Sequence, residues 1–329
     1  MGYWIRNPAA GHSGTIRASR GREGGEWMNA PFSRRQALSA LMGGGVIRCF
    51  SAESEPSQVL RFGLSDSLRG DVNVSDARSA MAVWFKRIEQ DMKVALRYDP
   101  NIFEDIGVLA NRLKQGQLDA LGINIFEYRR LLAWLDPDHV TVPVQKASLQ
   151  YQLLVRDADI SRLADLKGRR LTVLDTPPTC VALAWLSSLL SAGGLDSPQD
   201  FFSSLAKKTK PTQVVLPVFF GQAEACLTTR ASFLTMGELN PQVSRKLRPL
   251  ATSPELVTTM YAYRRDWKGL DRDLITRALE DLRSSPGGRQ ILTMFQSDRL
   301  VASKSNCLDS ALAILARAER AATRNGGVE

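Results

Sequence analysis

Residues 163–174 read LADLKGRRLTVL, and the fold of the chain can be inferred starting from them. Their Leu-Lys-Gly segment is typical of a turn, because glycine accepts backbone conformations that other residues avoid. Residues 170–174 are then mostly apolar or β-branched and predict a strand. A nearly continuous apolar run at 179–191 predicts a buried helix, which the glycine pair at 193–194 would end. The segment is therefore one strand-then-helix unit of an α/β protein.

Strands and helices alternate on both sides of this unit. Before it, apolar runs predict strands at 59–64, 94–97, 118–123 and 139–144, with helices at 76–92, 103–115 and about 126–134. After it, the patterns predict helices at about 212–220 and 230–238, and strands at 223–228 and 247–251. Such alternation predicts mostly parallel sheets flanked by helices. Beyond a strand at 257–263 only helices are predicted, at about 271–283, 287–295 and 306–323.

Two extended runs, 149–156 and 257–263, lie between the two strand-and-helix series and have similar endings. If both are crossover strands that form a hinge, the chain leaves lobe one, builds lobe two and returns. Lobe one then comprises residues 57–148 plus 256–325, and lobe two comprises residues 149–255. A ligand cleft is expected between the lobes, where strands end and helices begin.

The leader, residues 1–52, predicts export. The pair Arg34-Arg35 precedes a short, weakly apolar run that cannot span a bilayer. The paired arginines resemble a twin-arginine signal, so the twin-arginine export machinery is an expected partner. Cleavage near Ser51 or Ala52 would release the mature chain. The alternative is a basic tail on a cytosolic protein.

The net charge of +9 does not indicate nucleic-acid binding. Residues 1–52 contain seven arginines and two glutamates, so they carry five of those nine charges. The remaining basic residues are dispersed, which is typical of a solvated surface. His12 and His139 are the two histidines of the sequence, too few for a multi-histidine metal site in the body. Without a P-loop, GxGxxG or GxSxG motif, neither a cofactor nor catalysis is expected.

Four cysteines, at 49, 180, 226 and 307, have no CxxC spacing, which argues against a zinc site. If Cys49 is removed with the leader, three cysteines remain. One disulfide plus one free thiol, or three buried thiols, both fit the sequence.

Several segments together resemble one known family. They are RFGL at 61–64, LKQGQLDAL at 113–121, LADLKGRRLTV at 163–173, GQAEAC at 221–226 and SPGGR at 285–289. In this order they resemble the phosphate/phosphite/phosphonate-binding proteins of ABC transporters, over nearly all of the mature chain. The resemblance implies a two-lobed type II periplasmic-binding fold. It also implies a soluble, monomeric periplasmic protein that captures a small oxyanion for an ABC transporter permease.

The resemblance and the sequence pattern together indicate four candidate ligand contacts in lobe two. Thr176 and Thr179 lie in the turn before the helix at 179–191, where unpaired N–H groups suit an anion. An ordinary capping turn is the alternative. Thr229 and Arg230 follow the strand at 223–228, and Arg230 is expected to bind the oxyanion through two hydrogen bonds.

Lobe one contributes three further candidates. Ser75 is placed to cap the first helix, although most capping serines have a structural role. Asn124 and Tyr128 follow the strand at 118–123. Tyr128 falls where the family has a tyrosine in its cleft, and a core aromatic residue is the alternative.

The chain departs from the family pattern in two places. The turn at 175–180 has only two hydroxyls, where the family has a Ser/Thr-rich turn. Residues 228–230, Thr-Thr-Arg, lack the carboxylates with which aminoalkylphosphonate binders hold the amine, which argues against such a ligand. Two other functions are alternatives: a periplasmic ligand sensor that partners a membrane histidine kinase, and a pyrimidine-synthase-like enzyme on the same fold.

Overall fold

The computed structural model describes residues 60–70, 72–92, 96–144, 148–156, 158–268, 277–294 and 297–325. The predicted leader, with its arginine pair, lies outside the described residues. The described part is an α/β structure with two β-sheets and flanking helices.

Eleven strands are described. They are β1 (Leu60–Ser65), β2 (Leu96–Phe103), β3 (Ala120–Asn124), β4 (Leu135–Val144), β5 (Tyr151–Val155), β6 (Arg170–Leu174), β7 (Ser204–Lys208), β8 (Ala225–Thr229), β9 (Arg248–Thr252), β10 (Thr259–Arg264) and β11 (Arg299–Lys304).

Ten α-helices have bounds within the described residues. They are α1 (Val74–Met92), α2 (Ile106–Lys114), α3 (Ile125–Leu131), α4 (Ala182–Ala192), α5 (Pro198–Phe201), α6 (Pro211–Phe219), α7 (Arg230–Leu239), α8 (Pro241–Lys246), α9 (Pro286–Met294) and α10 (Asp309–Asn325).

The strands form a six-stranded sheet in the order β11-β4-β10-β3-β1-β2 and a five-stranded sheet in the order β7-β6-β8-β5-β9. Four strands of each sheet point the same way, as predicted. The sheets are nevertheless mixed, because β10 and β11 run against the others in the first sheet and β5 does so in the second. The chain crosses between the sheets twice. The strands that follow these crossings, β5 and β10, are both reversed.

The two crossings contact each other. The chain passes from β4 to β5 and returns from β9 to β10, and an isolated antiparallel bridge joins Leu149 on the first crossing to Leu256 on the second. The Leu256 N–H donates to the Leu149 carbonyl at 2.9 Å. The sheets are thus connected by a pair of adjacent segments, the arrangement expected of a hinge.

Apolar burial explains how the layers hold together. One face of the first sheet packs on α1 through Phe62, Trp84 and Phe85. One face of the second packs on α6 and α7. The remaining core includes buried residues from both sheets and from α4 and α10. Helix α10 packs against α4, and its Glu319 pairs with Arg129 of α3, so it touches helices that flank both sheets.

Two strands were not predicted from the sequence, β7 and β11, so the expectation of only helices after residue 263 is wrong. Both lie at a sheet edge, where few side chains are buried and the apolar pattern is weak. Two predicted turns are confirmed. Gly168, before β6, and Gly194, after α4, both have a φ value of 69°, which other residues rarely adopt.

Candidate functional site

The order in which the chain adds strands to the first sheet reverses at β1. Strand β2 pairs with one side of β1, and β3 pairs with the other side. Such a switch point leaves a crevice outside the carboxyl ends of the strands, where ligands bind in open α/β sheets. Two turns border the crevice. One starts at Ser65, the last residue of β1, and the other starts at Asn124, which caps α3.

Glu127 joins the two turns that border this crevice. Its carboxylate accepts hydrogen bonds from Ser65 Oγ, from Ser67 Oγ at 2.8 Å and from the Asn124 N–H at 2.9 Å. Asn124 Oδ1 in turn accepts from the Glu127 N–H at 3.0 Å, which completes a capping box. A carboxylate of the chain is therefore held where the two turns of the first sheet meet.

Asn124 was predicted from the sequence, whereas Glu127, Ser65 and Ser67 were not. The Asn-x-x-Glu spacing at 124–127 is a capping-box pattern and could have identified Glu127. The two serines lie 62 and 60 residues away from Glu127 along the chain, so no local pattern relates them to it.

The second sheet has an equivalent switch point at β6, which pairs with β7 and β8. Its bordering turns are residues 175–181, after β6, and the Thr229-Arg230 junction between β8 and α7. All four predicted contacts of lobe two lie on these two turns. Their backbone places them at the carboxyl edge of the sheet.

The turn after β6 uses most of its hydrogen-bond donors internally. Thr179 is buried, and its Oγ1 donates to the carbonyl of Leu174 at 2.7 Å and accepts from the Thr176 N–H at 2.8 Å. Pro177 and Pro178 have no N–H to offer. Thr176 is only partly buried, with its Oγ1 3.2 Å from that of Thr179. A ligand contact through Thr176 or Thr179 stays a prediction.

The turns of the two sheets approach each other. A β-carbon added to Gly70, after β1, would lie 3.1 Å from Pro177 Cδ. The next residue, Pro178, has a carbonyl that accepts from Tyr151 Oη at 2.7 Å and from Thr258 Oγ1 at 3.0 Å. The turn after β6 thus contacts the turn after β1, the start of β5 and the second crossing.

Electrostatics also relate the two switch points. Burial raises the pKa of the Cys180 thiol to about 12; a hydrogen bond with Thr258 opposes this rise and the negative charge of Glu127 adds to it. Cys180 follows β6 of the second sheet, whereas Glu127 lies on α3, which follows β3 of the first sheet. The carboxylate of Glu127 is therefore within electrostatic range of the opposite turn.

Thr229 and Arg230 start α7. Thr229 is buried and caps the helix, with its Oγ1 accepting from the Ser232 N–H at 3.0 Å. Arg230 is exposed, and its Nη1 donates to Gln150 Oε1 at 3.1 Å. The Arg230 N–H donates to the Gln150 carbonyl at 2.8 Å. The guanidinium is thus tethered beside the first crossing, and its contact with a ligand stays a prediction.

Ser75 and Tyr128 have surroundings that differ from those expected. Ser75 is exposed, and its N–H donates to Asn73 Oδ1 at 2.8 Å. The predicted capping role of Ser75 is wrong, because Asn73 stands one position before α1 and performs it. Tyr128 is buried in the core, and burial raises its pKa, with smaller contributions from the charges of Cys307 and Asp309. A ligand contact through either residue stays a prediction.

A cavity of about 300 Å³ lies beside the two crossings. Its walls are mostly apolar and include Val144, Leu149, Pro178, Leu256 and Cys307. The seven predicted contact residues do not line it.

Within the described residues, no group of three or more His, Cys, Asp or Glu side chains is placed to hold a metal ion. Cys180, Cys226 and Cys307 are all free thiols, so the alternative of a disulfide among them is not realised. None of the described helices is long and apolar enough to cross a membrane.

Sequence comparison identifies the family. The profile described as "ABC transporter, phosphonate, periplasmic substrate-binding protein" matches residues 71–306. The chain belongs to this family. Its members are substrate-binding components of ABC transporters, so the chain is a periplasmic binding protein and not an enzyme. No curated protein is similar enough in sequence to count as a relative.

Solved structures confirm the two-lobed periplasmic-binding fold. A binding protein component of an ABC phosphonate transporter from Pseudomonas aeruginosa is 14% identical, with a TM-score of 0.52 over 82% of this chain and 89% of that one. PhnD1 from Prochlorococcus marinus, in complex with methylphosphonate, is 14% identical, with a TM-score of 0.52 over 80% and 99%. XAC2383 from Xanthomonas citri, bound to ATP, is 14% identical, with a TM-score of 0.54 over 81% and 99%.

Proposed function

We propose that the chain captures a small oxyanion of the phosphate or phosphonate type between its lobes and delivers it to the permease of an ABC transporter. One observation carries the proposal: the switch-point turns of the two sheets come together where Gly70 meets Pro177. Ligands of open α/β sheets bind at such edges. Membership of the phosphonate-binding family supports the choice of an oxyanion.

The proposed contacts are the seven that the sequence nominates. Arg230 has the central role, because it is exposed, is anchored by Gln150 and stands at the amino end of α7, where the helix dipole also favours an anion. Hydroxyl and amide groups would complete the coordination. They belong to Thr176, Thr179 and Thr229 in lobe two and to Ser75, Asn124 and Tyr128 in lobe one.

The ligand is proposed to close the lobes about the crossings. In this proposal residues 57–148 plus 256–325 and residues 149–255 move as two bodies, with the Leu149–Leu256 bridge at their hinge. A ligand that contacts both lobes binds the closed arrangement better than the open one, so it shifts the population toward closure.

The route to the periplasm is also a proposal. The Arg34-Arg35 pair is taken to direct export by the twin-arginine machinery, with cleavage near Ser51 or Ala52. The mature protein is proposed to act as a monomer.

A thermal-shift screen of the mature protein tests the ligand class. The ligands are phosphate, phosphite, methylphosphonate, sulfate, acetate and one uncharged sugar. A true ligand at a hundredfold excess over its dissociation constant stabilises the fold by about 2.7 kcal/mol. The proposal expects at least one phosphorus oxyanion to raise the melting temperature. A rise with the uncharged sugar and with none of the oxyanions would refute it.

A further inference from the structure

The carboxylate of Glu127 is not needed for binding an oxyanion. It places a negative charge at the carboxyl edge of the first sheet, between the turns after β1 and before α3. The opposite turn, after β6, approaches the turn after β1 where Gly70 faces Pro177, and the charge of Glu127 also raises the pKa of the Cys180 thiol in that turn. An anionic ligand bound between the lobes would therefore meet a carboxylate on its lobe-one side.

Among the described residues, the groups that donate hydrogen bonds to the Glu127 carboxylate are all neutral. Two serine hydroxyls and one backbone N–H bind it, and no ion pair between described residues includes it. Hydrogen bonds from neutral groups stabilise a carboxylate without cancelling its charge. Glu127 is half-buried, so water screens this charge less than it would at the surface.

If Glu127 did not occupy them, the same donors could bind an oxyanion ligand. Hydroxyls and a helix N-terminus are groups that bind oxyanions elsewhere. Here they already hold a carboxylate of the chain. At this position the lobe-one side of the cleft therefore repels a second negative charge, because these particular donors are already occupied.

We propose that Glu127 determines specificity by excluding oxyanions that carry a second negative charge toward lobe one. A ligand whose far end is neutral avoids the repulsion and is accepted. The inference rests on the proposed function and deepens it, because it restricts the substrate class to oxyanions with an uncharged end on the lobe-one side.

The test compares two ligands of similar size, ethylphosphonate and phosphonoacetate, which differ by one carboxylate. The ratio of their dissociation constants is measured by calorimetry for the wild type and for Glu127→Gln. Gln also serves at the third position of a capping box, so the substitution removes the charge and keeps the turn. The wild type should prefer ethylphosphonate. Glu127→Gln should reduce that preference by about tenfold or more, the scale of like charges a few ångströms apart near a protein surface.

Two further variants separate charge from folding. Glu238→Gln removes an exposed carboxylate near the far end of α7 and should leave the ratio unchanged. Ser67→Ala loosens the turn but keeps the Glu127 charge, so the preference for ethylphosphonate should persist. Melting temperatures without ligand show whether each variant is folded.

The outcomes distinguish this inference from the proposed function. If the ratio in Glu127→Gln equals that of the wild type, the inference is overturned while oxyanion capture stands. If the wild type binds no oxyanion but Glu127→Gln does, the exclusion is supported and the proposed function fails. If neither protein binds an oxyanion, both are overturned.

Discussion

Arg61 holds the fully buried carboxylate of Asp119 through Nε at 2.8 Å and Nη2 at 2.9 Å. Arg264 Nη2 reaches the same carboxylate at 3.2 Å. Arg61 lies on β1, Asp119 directly precedes β3 and Arg264 ends β10. One buried charge therefore joins three neighbouring strands of the first sheet.

Asp119→Ala should lower the free energy of unfolding by about 2–3 kcal/mol. Removing one partner of a buried ion pair costs about 3–5 kcal/mol, because the remaining charge loses its compensation. The cost is smaller here, since the Arg61 side chain is 43% exposed and can regain water. Urea unfolding of the mature protein gives the value.

Asp196→Asn is the control for this measurement. Asp196 pairs with Lys167 at 3.0 Å, and both side chains are exposed. Such a pair contributes less than about 1 kcal/mol. Similar losses in the two variants would contradict the role assigned to Asp119.

Glu224 should make stability depend on acid pH. Hydrogen bonds from the Arg170 guanidinium lower the pKa of Glu224 from 4.5 to about 2. Because the folded-state pKa is the lower one, the contribution is fully present above pH 4.5 and is lost as pH falls toward 2. We expect a loss of about 2 kcal/mol, after a discount for the half-exposed Arg170.

Urea unfolding at pH 7, 4.5 and 3 measures this loss. Glu224→Gln cannot titrate at this position, so its stability should fall less over the same pH range. If the wild type and Glu224→Gln lose stability in parallel, other carboxylates account for the acid dependence.

Replacing Arg34 and Arg35 together with lysine should leave the precursor in the cytoplasm. The twin-arginine route recognises the paired guanidinium groups, and lysine keeps the charge without them. Cell fractionation with immunoblotting shows where the protein lies and whether it is cleaved. Export of the double-lysine variant would contradict this route, and an unprocessed wild type would contradict export itself.

Much of the fold could be predicted because it depends on local patterns. Strand β6 lies at 170–174, where its apolar residues predict it, and Gly168 forms the turn before it. The edge strand β7 was missed, because four of its five residues are exposed and its pattern is mainly polar. Periodicity therefore identifies elements that bury a face and fails for those that do not.

The candidate site could be predicted only in part. Thr229 and Arg230 were placed correctly at a strand end, since the change from a strand pattern to a helix pattern is local. The bonds that Glu127 receives from Ser65 and Ser67, and the use of the Pro178 carbonyl by Tyr151, join distant segments. Such contacts depend on tertiary packing and leave no signal in the spacing of residues.

The Pro178 carbonyl should behave as a shared acceptor. Tyr151→Phe and Thr258→Val each leave it one donor, so each should lower the free energy of unfolding by about 0.5–1.5 kcal/mol. The double variant leaves it unpaired and should lose more than the sum of the two. Urea unfolding of the wild type, the two single variants and the double variant completes this double-mutant cycle. A strictly additive loss of stability would show that water replaces both donors.

Arg230→Ala should weaken binding of the preferred oxyanion by about 1.5–3 kcal/mol, the scale of hydrogen bonds to charged groups. An oxyanion needs matching positive charge in a closed cleft, and a helix N-terminus supplies only about half a charge. Arg230 is tethered beside the first crossing by Gln150, which favours a fixed position for its guanidinium.

Calorimetry gives the affinity of Arg230→Ala for the oxyanion. The matched control is Arg245→Ala, which removes an exposed arginine of α8. Arg230→Lys should recover only part of the affinity, because lysine cannot form the paired hydrogen bonds of a guanidinium. Equal affinities for the wild type and Arg230→Ala would mean that Arg230 faces solvent and that Thr229 and the helix N-terminus bind the ligand without it.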